Sequence, residues 1–222
     1  MKKILQNIPL RIQLARALLL EFEAKQKAIQ FGQEANNLFV EIALLSGKPI
    51  WLEIGSGEKK GTNEWITLDL CDNCDIEHDL RHPLPFPDNS IDKIYASHVL
   101  EHFYYDDLMR LLHECLRTLK PGGTLSVSVP DAGIYLDHYN GKRTIDKNKW
   151  PIYAPAFHYH TKIDWINYTA YMDNGHRHMF DRDHLIELLK YAGFSTVKPR
   201  PFDPKLDHKD RDIESIYALA IK

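Results

Sequence analysis

The run Ile50-Trp51-Leu52-Glu53-Ile54-Gly55-Ser56-Gly57, followed by Trp65-Ile66-Thr67-Leu68-Asp69, decides the reading of this chain. Each is a short apolar stretch bounded by polar or turn residues, the pattern of a buried strand. Gly55 and Gly57 let a ligand approach the backbone, because no Cβ intervenes. Asp69 closes the second strand, where a carboxylate can accept both ribose hydroxyls of a nucleoside. A dinucleotide site would want Gly-x-Gly-x-x-Gly and an acid about 20 residues on. Here the third glycine is displaced to Gly61, and Asp69 follows Gly55 by only 14 residues. The pattern fits a dinucleotide poorly.

Working outward, strands alternate with helices. A short third strand is expected near Asp75 to His78 and a fourth over Ile91 to Ala96. A helix is expected over Tyr104 to Lys120, stopped by Pro121-Gly122-Gly123, then a fifth strand over Thr124 to Val129. Asp181 to Ala192 reads as a helix with an Asp cap and a glycine stop. Phe194 to Lys198 and Ile213 to Ile221 supply the last two strands. Such alternation implies a largely parallel sheet covered on both faces, with ligands bound beyond the strands' carboxyl ends. Residues 131–180 read as irregular, aromatic and rich in histidine.

Residues 1–47 read as a helical extension. Ile8, Ile12, Ala15, Leu19, Phe22 and Ile29 share one helical face, Gly32 is the expected break, and a second helix carries Leu38, Ile42 and Leu45 to a stop at Ser46-Gly47. Lys and Arg outnumber Asp and Glu in this arm. Contact with an anionic membrane surface is therefore a conceivable role, but packing on the main domain explains the apolar stripe more simply. Gln6, Pro9, Arg11, Gln13 and Arg16 interrupt any apolar run near the N-terminus, so a cytoplasmic protein is expected.

The chain has 222 residues, enough for one domain with its own core. Lys and Arg total 28 against 31 Asp and Glu, a formal charge of −3, which argues against a nucleic-acid partner. Three cysteines cannot all pair with one another and suit a reducing compartment.

Five stretches together resemble the class I S-adenosylmethionine-dependent methyltransferases, in the branch with a type-11 methyltransferase domain. They are Leu52 to Gly57; Trp65 to Asp69; His78-Asp79-Leu80 running into Leu84 to Asp92; Ser97-His98-Val99-Leu100-Glu101-His102; and Leu116 to Gly123. The resemblance implies a three-layer Rossmann-like fold with a mostly parallel seven-stranded sheet. The chain then divides into the extension 1–47 and a methyltransferase domain 48–222; neither 1–47 nor 131–180 has a counterpart in the family, and the aromatic residues of 131–180, placed after the fifth strand, suggest an acceptor-binding insertion. The resemblance also implies S-adenosylmethionine as cofactor. Glu53, Gly55, Ser56 and Gly57 would surround its methionine end. Asp69, with Leu70, would hold the ribose, Asp79 and Leu80 would meet the adenine, and Ser97 and His98 would border the sulfonium.

The resemblance has one departure. Only residues 58–64 separate the glycine loop from the second strand, too few for the usual helix. The N-terminal helices are expected to cover the sheet there.

His98 and His102 are the candidate catalytic residues, as base or positioning groups beside the methyl. Some relatives hold a divalent ion through Glu-x-x-Glu-His at this place. Here His98 replaces the first Glu, giving His98, Glu101 and His102, and no metal ligand is assigned. Cys71, Cys74, His78 and His82 have zinc-like spacing, but His78 falls on the third strand, so a zinc site there is the lesser expectation. Arg143, Arg177 and Arg182 could meet an acceptor phosphate, although surface ion pairs explain them as well. No Asn/Asp-Pro-Pro-Tyr stretch follows Ala96, which disfavours DNA bases as acceptors. The acceptor expected is a small molecule or a saccharide, most simply through a hydroxyl. The rival functions are a non-catalytic cofactor-binding partner subunit and a nicotinamide or nucleotide-sugar oxidoreductase. The glycine spacing and the lack of a Tyr-x-x-x-Lys pair oppose the latter.

Overall fold

The computed structural model describes residues 10–57, 64–71, 73–146, 150 and 153–222. Its first element is one continuous helix, α1 (Leu10–Leu45). The expected break at Gly32 is corrected. A lone glycine costs a helix only about 1 kcal/mol, and Gln30 Nε2 donates to Glu34 Oε1 at 2.9 Å across it. The helix ends where expected, with Gly47 at φ +67° and Ser46 Oγ donating to the Ala43 carbonyl.

The expected packing face is also corrected. Leu19, Phe22 and Ile29 are exposed, as are Leu38, Ile42 and Leu45. The face that packs is offset by a residue or two. Val40 joins the main core, Phe39 and Ala43 lie against it, and Asn36 Nδ2 donates to the Glu77 carbonyl at 2.7 Å.

The sheet has seven strands in the order β3-β2-β1-β4-β5-β7-β6. These are β1 (Trp51–Ile54), β2 (Ile66–Asp69), β3 (Ile76–Glu77), β4 (Ile91–Ser97), β5 (Leu119–Pro130), β6 (Thr196–Pro199) and β7 (Ser215–Ile221). Strands β1 to β5 are parallel, while β7 runs antiparallel to β5 and β6 antiparallel to β7. This is the mostly parallel, Rossmann-like sheet expected. Strand β5 begins earlier than its alternation suggests, because Leu119 already pairs with Ile91 before a register shift. Helix α2 (Tyr105–Thr118) therefore stops two residues short of the expected end.

Helices flank the sheet. Leu108, Leu111, Leu112 and Cys115 of α2 and Leu185, Leu188 and Leu189 of a later helix share one core with the strands. Of the expected short connection at residues 58–64, residues 58–63 lie outside the described residues. Among those described, no helix is long and apolar enough to cross a membrane.

The described residues of 131–180 are more regular than expected. They hold α3 (Ala132–Tyr139), capped by Asp131, and α4 (Ile163–Tyr171). Tyr135, Trp150, Trp165 and Tyr168 build a second, aromatic core between them. Large rings bury enough area to fold a segment that shows no clear period. Trp150 Nε1 donates to Tyr135 Oη, which donates to Glu214 Oε2 at 2.6 Å, tying this core to the base of β7. Helix α5 (Arg182–Tyr191) follows, with Asp181 accepting from the His184 amide.

Candidate functional site

Strand order reverses between β1 and β4, so a crevice opens beyond their carboxyl ends. A cavity of about 520 Å³ lies there, lined by Glu53, Gly55, Ser56, Gly57, Ser97, His98 and Arg211. The backbone turns sharply at Gly55, with φ at +64° and a hydrogen bond from its amide to the Leu68 carbonyl. A Cβ on Gly55 would lie 2.3 Å from Val99 Cγ2, so Val99, two residues after β4, presses directly on this turn. Gly57 also has positive φ, but a Cβ there would meet nothing within 4 Å. That space faces a prospective ligand.

Asp69 stands at the tip of β2. It accepts from the Gly57 amide through Oδ2 and from the Leu70 amide through Oδ1, both at 2.6 Å. Each oxygen keeps a lone pair for a hydroxyl donor. On the other side is a second cavity of about 480 Å³, lined by Leu70, Glu77, His78, Asp79 and His82 together with Ile29, Gly32, Gln33 and Asn36 of α1. Gly32 lies on its wall, where a Cβ would meet no described atom within 4 Å. Asp79 is held by Arg81 in a two-pronged pair, and that guanidinium lowers its carboxyl to about 2. Leu80 is buried in the core below.

The expected cofactor residues therefore fall into two groups joined by Asp69. Glu53, Gly55, Ser56, Gly57, Ser97 and His98 share the first cavity, and Leu70 and Asp79 share the second. Arg211 is an addition the sequence did not signal. It precedes β7 and reaches the site because β7 inserts beside β5; its Nη1 donates to the Ser97 carbonyl.

His98 sits at φ +54°, unusual for a residue with a side chain. Its Nε2 meets Ser215 Oγ at 2.7 Å. Ser215 Oγ donates its own proton to the Arg211 carbonyl, so the imidazole is the donor in that bond. Its Nδ1 lies 3.6 Å from Glu101 Oε1. His102 does not line the cavity. It belongs to the 3₁₀ turn Leu100–His102 and points its Nδ1 at the Gly175 carbonyl, 2.9 Å away.

The other expected clusters separate. Cys74 Sγ is turned onto the carbonyls of Asp69, Cys71 and Ile76. Among the described residues, Cys71, Cys74, His78 and His82 supply no group of three metal donors. Arg143 lies over the Trp150 ring, and Arg177 lies over Tyr104 while donating to the His176 carbonyl. A third cavity of about 270 Å³ opens beside α4, lined by Ala156, His158, Asp164, Asn167, Tyr168, Tyr171, Asp173 and Asn174.

Comparison with known proteins agrees with this geometry. Residues 52–127 match the family model described as a methyltransferase domain. A probable S-adenosylmethionine-dependent methyltransferase of Mycolicibacterium smegmatis is 40% identical over 57 residues, which is 26% of this chain and 21% of that protein. The match thus spans about a fifth of the length of that curated relative. Among solved structures, an S-adenosylmethionine-dependent methyltransferase from Archaeoglobus fulgidus is similar in fold. It has a TM-score of 0.51 at 18% identity, over 82% of this chain and 90% of that one. The fold is that of a Rossmann-like α/β protein with its ligand crevice at the β1–β4 reversal. Within it, residues 52–127 are similar to the methyltransferase domain family.

Proposed function

We propose that the chain transfers a methyl group from S-adenosylmethionine to a small polar acceptor, a saccharide-like hydroxyl compound by preference. The observation that carries it is a pair of cavities linked through Asp69, which accepts from Gly57 on the wall of the first and from Leu70 on the wall of the second, an arrangement that suits an elongated nucleoside ligand with a charged amino-acid end. Glu53 and Arg211 place one anionic and one cationic side chain in the first cavity. They suit the ammonium and carboxylate of a methionine moiety. Asp69 would take the ribose hydroxyls, and the space between Leu70, Asp79 and α1 would take the base.

Methyl transfer is an in-line displacement, so the chain's main task is to align the acceptor with the methyl and exclude water. His98 is on the wall of the first cavity and is fixed by Ser215, which makes it a positioning group for that alignment. The saccharide preference is supported by the third cavity, where Tyr168 and Tyr171 stand among Asp164, Asn167, Asp173 and Asn174. Aromatic faces with planar polar neighbours suit polyhydroxylated rings.

The test is titration calorimetry with S-adenosylmethionine, then transfer of a labelled methyl to a panel of saccharides, small phenols and amines. One-site binding plus label on a hydroxyl compound is expected. Binding without transfer to any acceptor would favour a partner subunit, and no binding would end the proposal. Arg211→Met should weaken cofactor binding by roughly 10-fold or more, the loss of one charged hydrogen-bonded pair.

A further inference from the structure

Glu101 is 1% exposed, and neither carboxylate oxygen has a hydrogen-bond partner. A buried polar group in that condition is costly and calls for an explanation. His98 Nδ1 lies 3.6 Å and His102 Nε2 3.9 Å from Glu101 Oε1, both beyond hydrogen-bond distance, and His176 completes the surroundings. One donor atom each from Glu101, His102 and His176 lie within 4.8 Å of one another.

The two imidazoles are already set for coordination. His102 Nδ1 faces the Gly175 carbonyl at 2.9 Å, and His176 Nδ1 faces the Thr169 carbonyl at 2.8 Å. A carbonyl can only accept, so each ring carries its proton on Nδ1 and turns an Nε2 lone pair away. Metal-bound histidines are held by this kind of second contact. The rings lie edge to face, 5.1 Å between centroids. The backbone keeps the cluster together, because the amides of Arg177 and His178 both donate to the Glu101 carbonyl.

We infer that Glu101, His102 and His176 form a binding site for one divalent transition-metal ion of the zinc type. Two imidazoles and one carboxylate favour zinc, iron or nickel over magnesium or calcium, which prefer oxygen donors throughout. A tetrahedral ion with bonds of about 2.0–2.1 Å holds its donors about 3.4 Å apart, so a modest rotation of the side chains closes the site. His102 is the exposed member and gives the ion a path from solvent. The sequence assigned no metal ligand, and the set differs from the His98, Glu101 and His102 trio that it offered as the alternative. His98 is left out, and His176 comes in from the far end of the aromatic segment. The ion would pin that segment to the turn after β4. Three protein donors leave a position open for an acceptor oxygen, a use that rests on the methyl-transfer reading; binding itself does not.

The test uses the full chain, stripped with a chelator and titrated with Zn²⁺ and, as a spectroscopic probe, Co²⁺, with no cofactor added. One equivalent per chain is expected, with visible cobalt bands and no thiolate charge-transfer band. Glu101→Gln, which keeps the side-chain shape, and His176→Asn, which keeps a donor for the Thr169 carbonyl, should each weaken binding about 100-fold or more, since second contacts alone shift affinity 10- to 100-fold. Circular dichroism checks that both remain folded; should His176→Asn unfold, Glu101→Gln decides. Cys71→Ser/Cys74→Ser should keep the equivalent. Less than about a tenth of an equivalent in the parent chain would overturn the assignment. So would unchanged binding in Glu101→Gln, or loss of binding in the cysteine variant. These outcomes are independent of whether methyl transfer is detected.

Discussion

At the scale of single residues, Gly55 and Asp69 shape the crevice beyond β1 and β2 in different ways. Gly55 is required twice over: its φ is +64°, and a Cβ would sit 2.3 Å from Val99 Cγ2. Left-handed backbone costs an alanine about 1–2 kcal/mol, and overpacking typically adds about 1–3 kcal/mol. Gly55→Ala should therefore lose roughly 2–4 kcal/mol in denaturant unfolding and bind S-adenosylmethionine more weakly. Adding Val99→Ala should restore part of the stability, because the two sites touch. A double variant no better than the single one would show that the backbone alone carries the cost. Asp69 acts through charge. Asp69→Ala removes a carboxylate that receives two amides and, by the proposal, two hydroxyls. Hydrogen bonds to charged groups are worth about 1.5–3 kcal/mol, so affinity should fall roughly 10- to 150-fold by calorimetry. An unchanged affinity would remove Asp69 from the ribose contact.

Among elements, α1 shows how far a periodic pattern can mislead. Its apolar residues are numerous enough to draw stripes on more than one face, and only the face through Asn36, Val40 and Ala43 meets the sheet edge at β3. Phe31 is 69% exposed, and Leu14, Leu18, Leu19 and Leu20 are exposed with it. Removing residues 1–25 should thus shift the melting temperature by less than about 3 °C, the size of a change of about 1 kcal/mol in a chain this long. Val40→Ala, which empties part of the main core, should cost about 1–3 kcal/mol. A large drop on truncation would mean that the exposed apolar face is covered in solution. The strands are more legible. β1, β2 and β4 are short apolar runs; β1 leads into Gly55, β2 ends on Asp69 and β4 ends on Ser97, so sequence alone places the sheet and the residues at its carboxyl edge. The long reach of Arg211 and His176 is not legible. Ser215 lies 117 residues from the His98 that it fixes, and only the insertion of β7 beside β5 brings that region to the cavity. The two helices inside 131–180 stay hidden because their order comes from aromatic packing rather than from a repeat of period 3.6.

Across the whole molecule, acid stability should depend on how the buried carboxylates are paired. Glu114 of α2 accepts from Arg117 at 2.6 and 2.9 Å and from the Leu84 amide at 2.8 Å. Arg117 in turn donates to the Leu84 and Phe86 carbonyls and to Asp88. This cluster fastens the proline-rich loop between β3 and β4 to the helix that backs the core. The Arg117 guanidinium is the main reason the Glu114 carboxyl is held below its ordinary 4.5. A depressed carboxylate stabilises the fold fully above its unfolded pKa, and that contribution is lost as pH falls through the folded value. Glu214 and Asp131 work in the opposite sense. Burial raises both, so their effect favours the fold at low pH and fades as pH rises. Glu114→Gln should therefore start about 1–3 kcal/mol less stable at pH 6, the worth of a charged hydrogen bond. It should then lose less than the parent as pH drops below 4.5, so that the two stability curves converge in acid. Urea unfolding of both chains from pH 6 down to about 3 reads this directly, since the linkage slope changes only where the titrating group is lost. Parallel curves across that range would mean that Glu114 is protonated alike in the folded and unfolded chain, and that the Arg117 cluster holds the loop by shape rather than by charge.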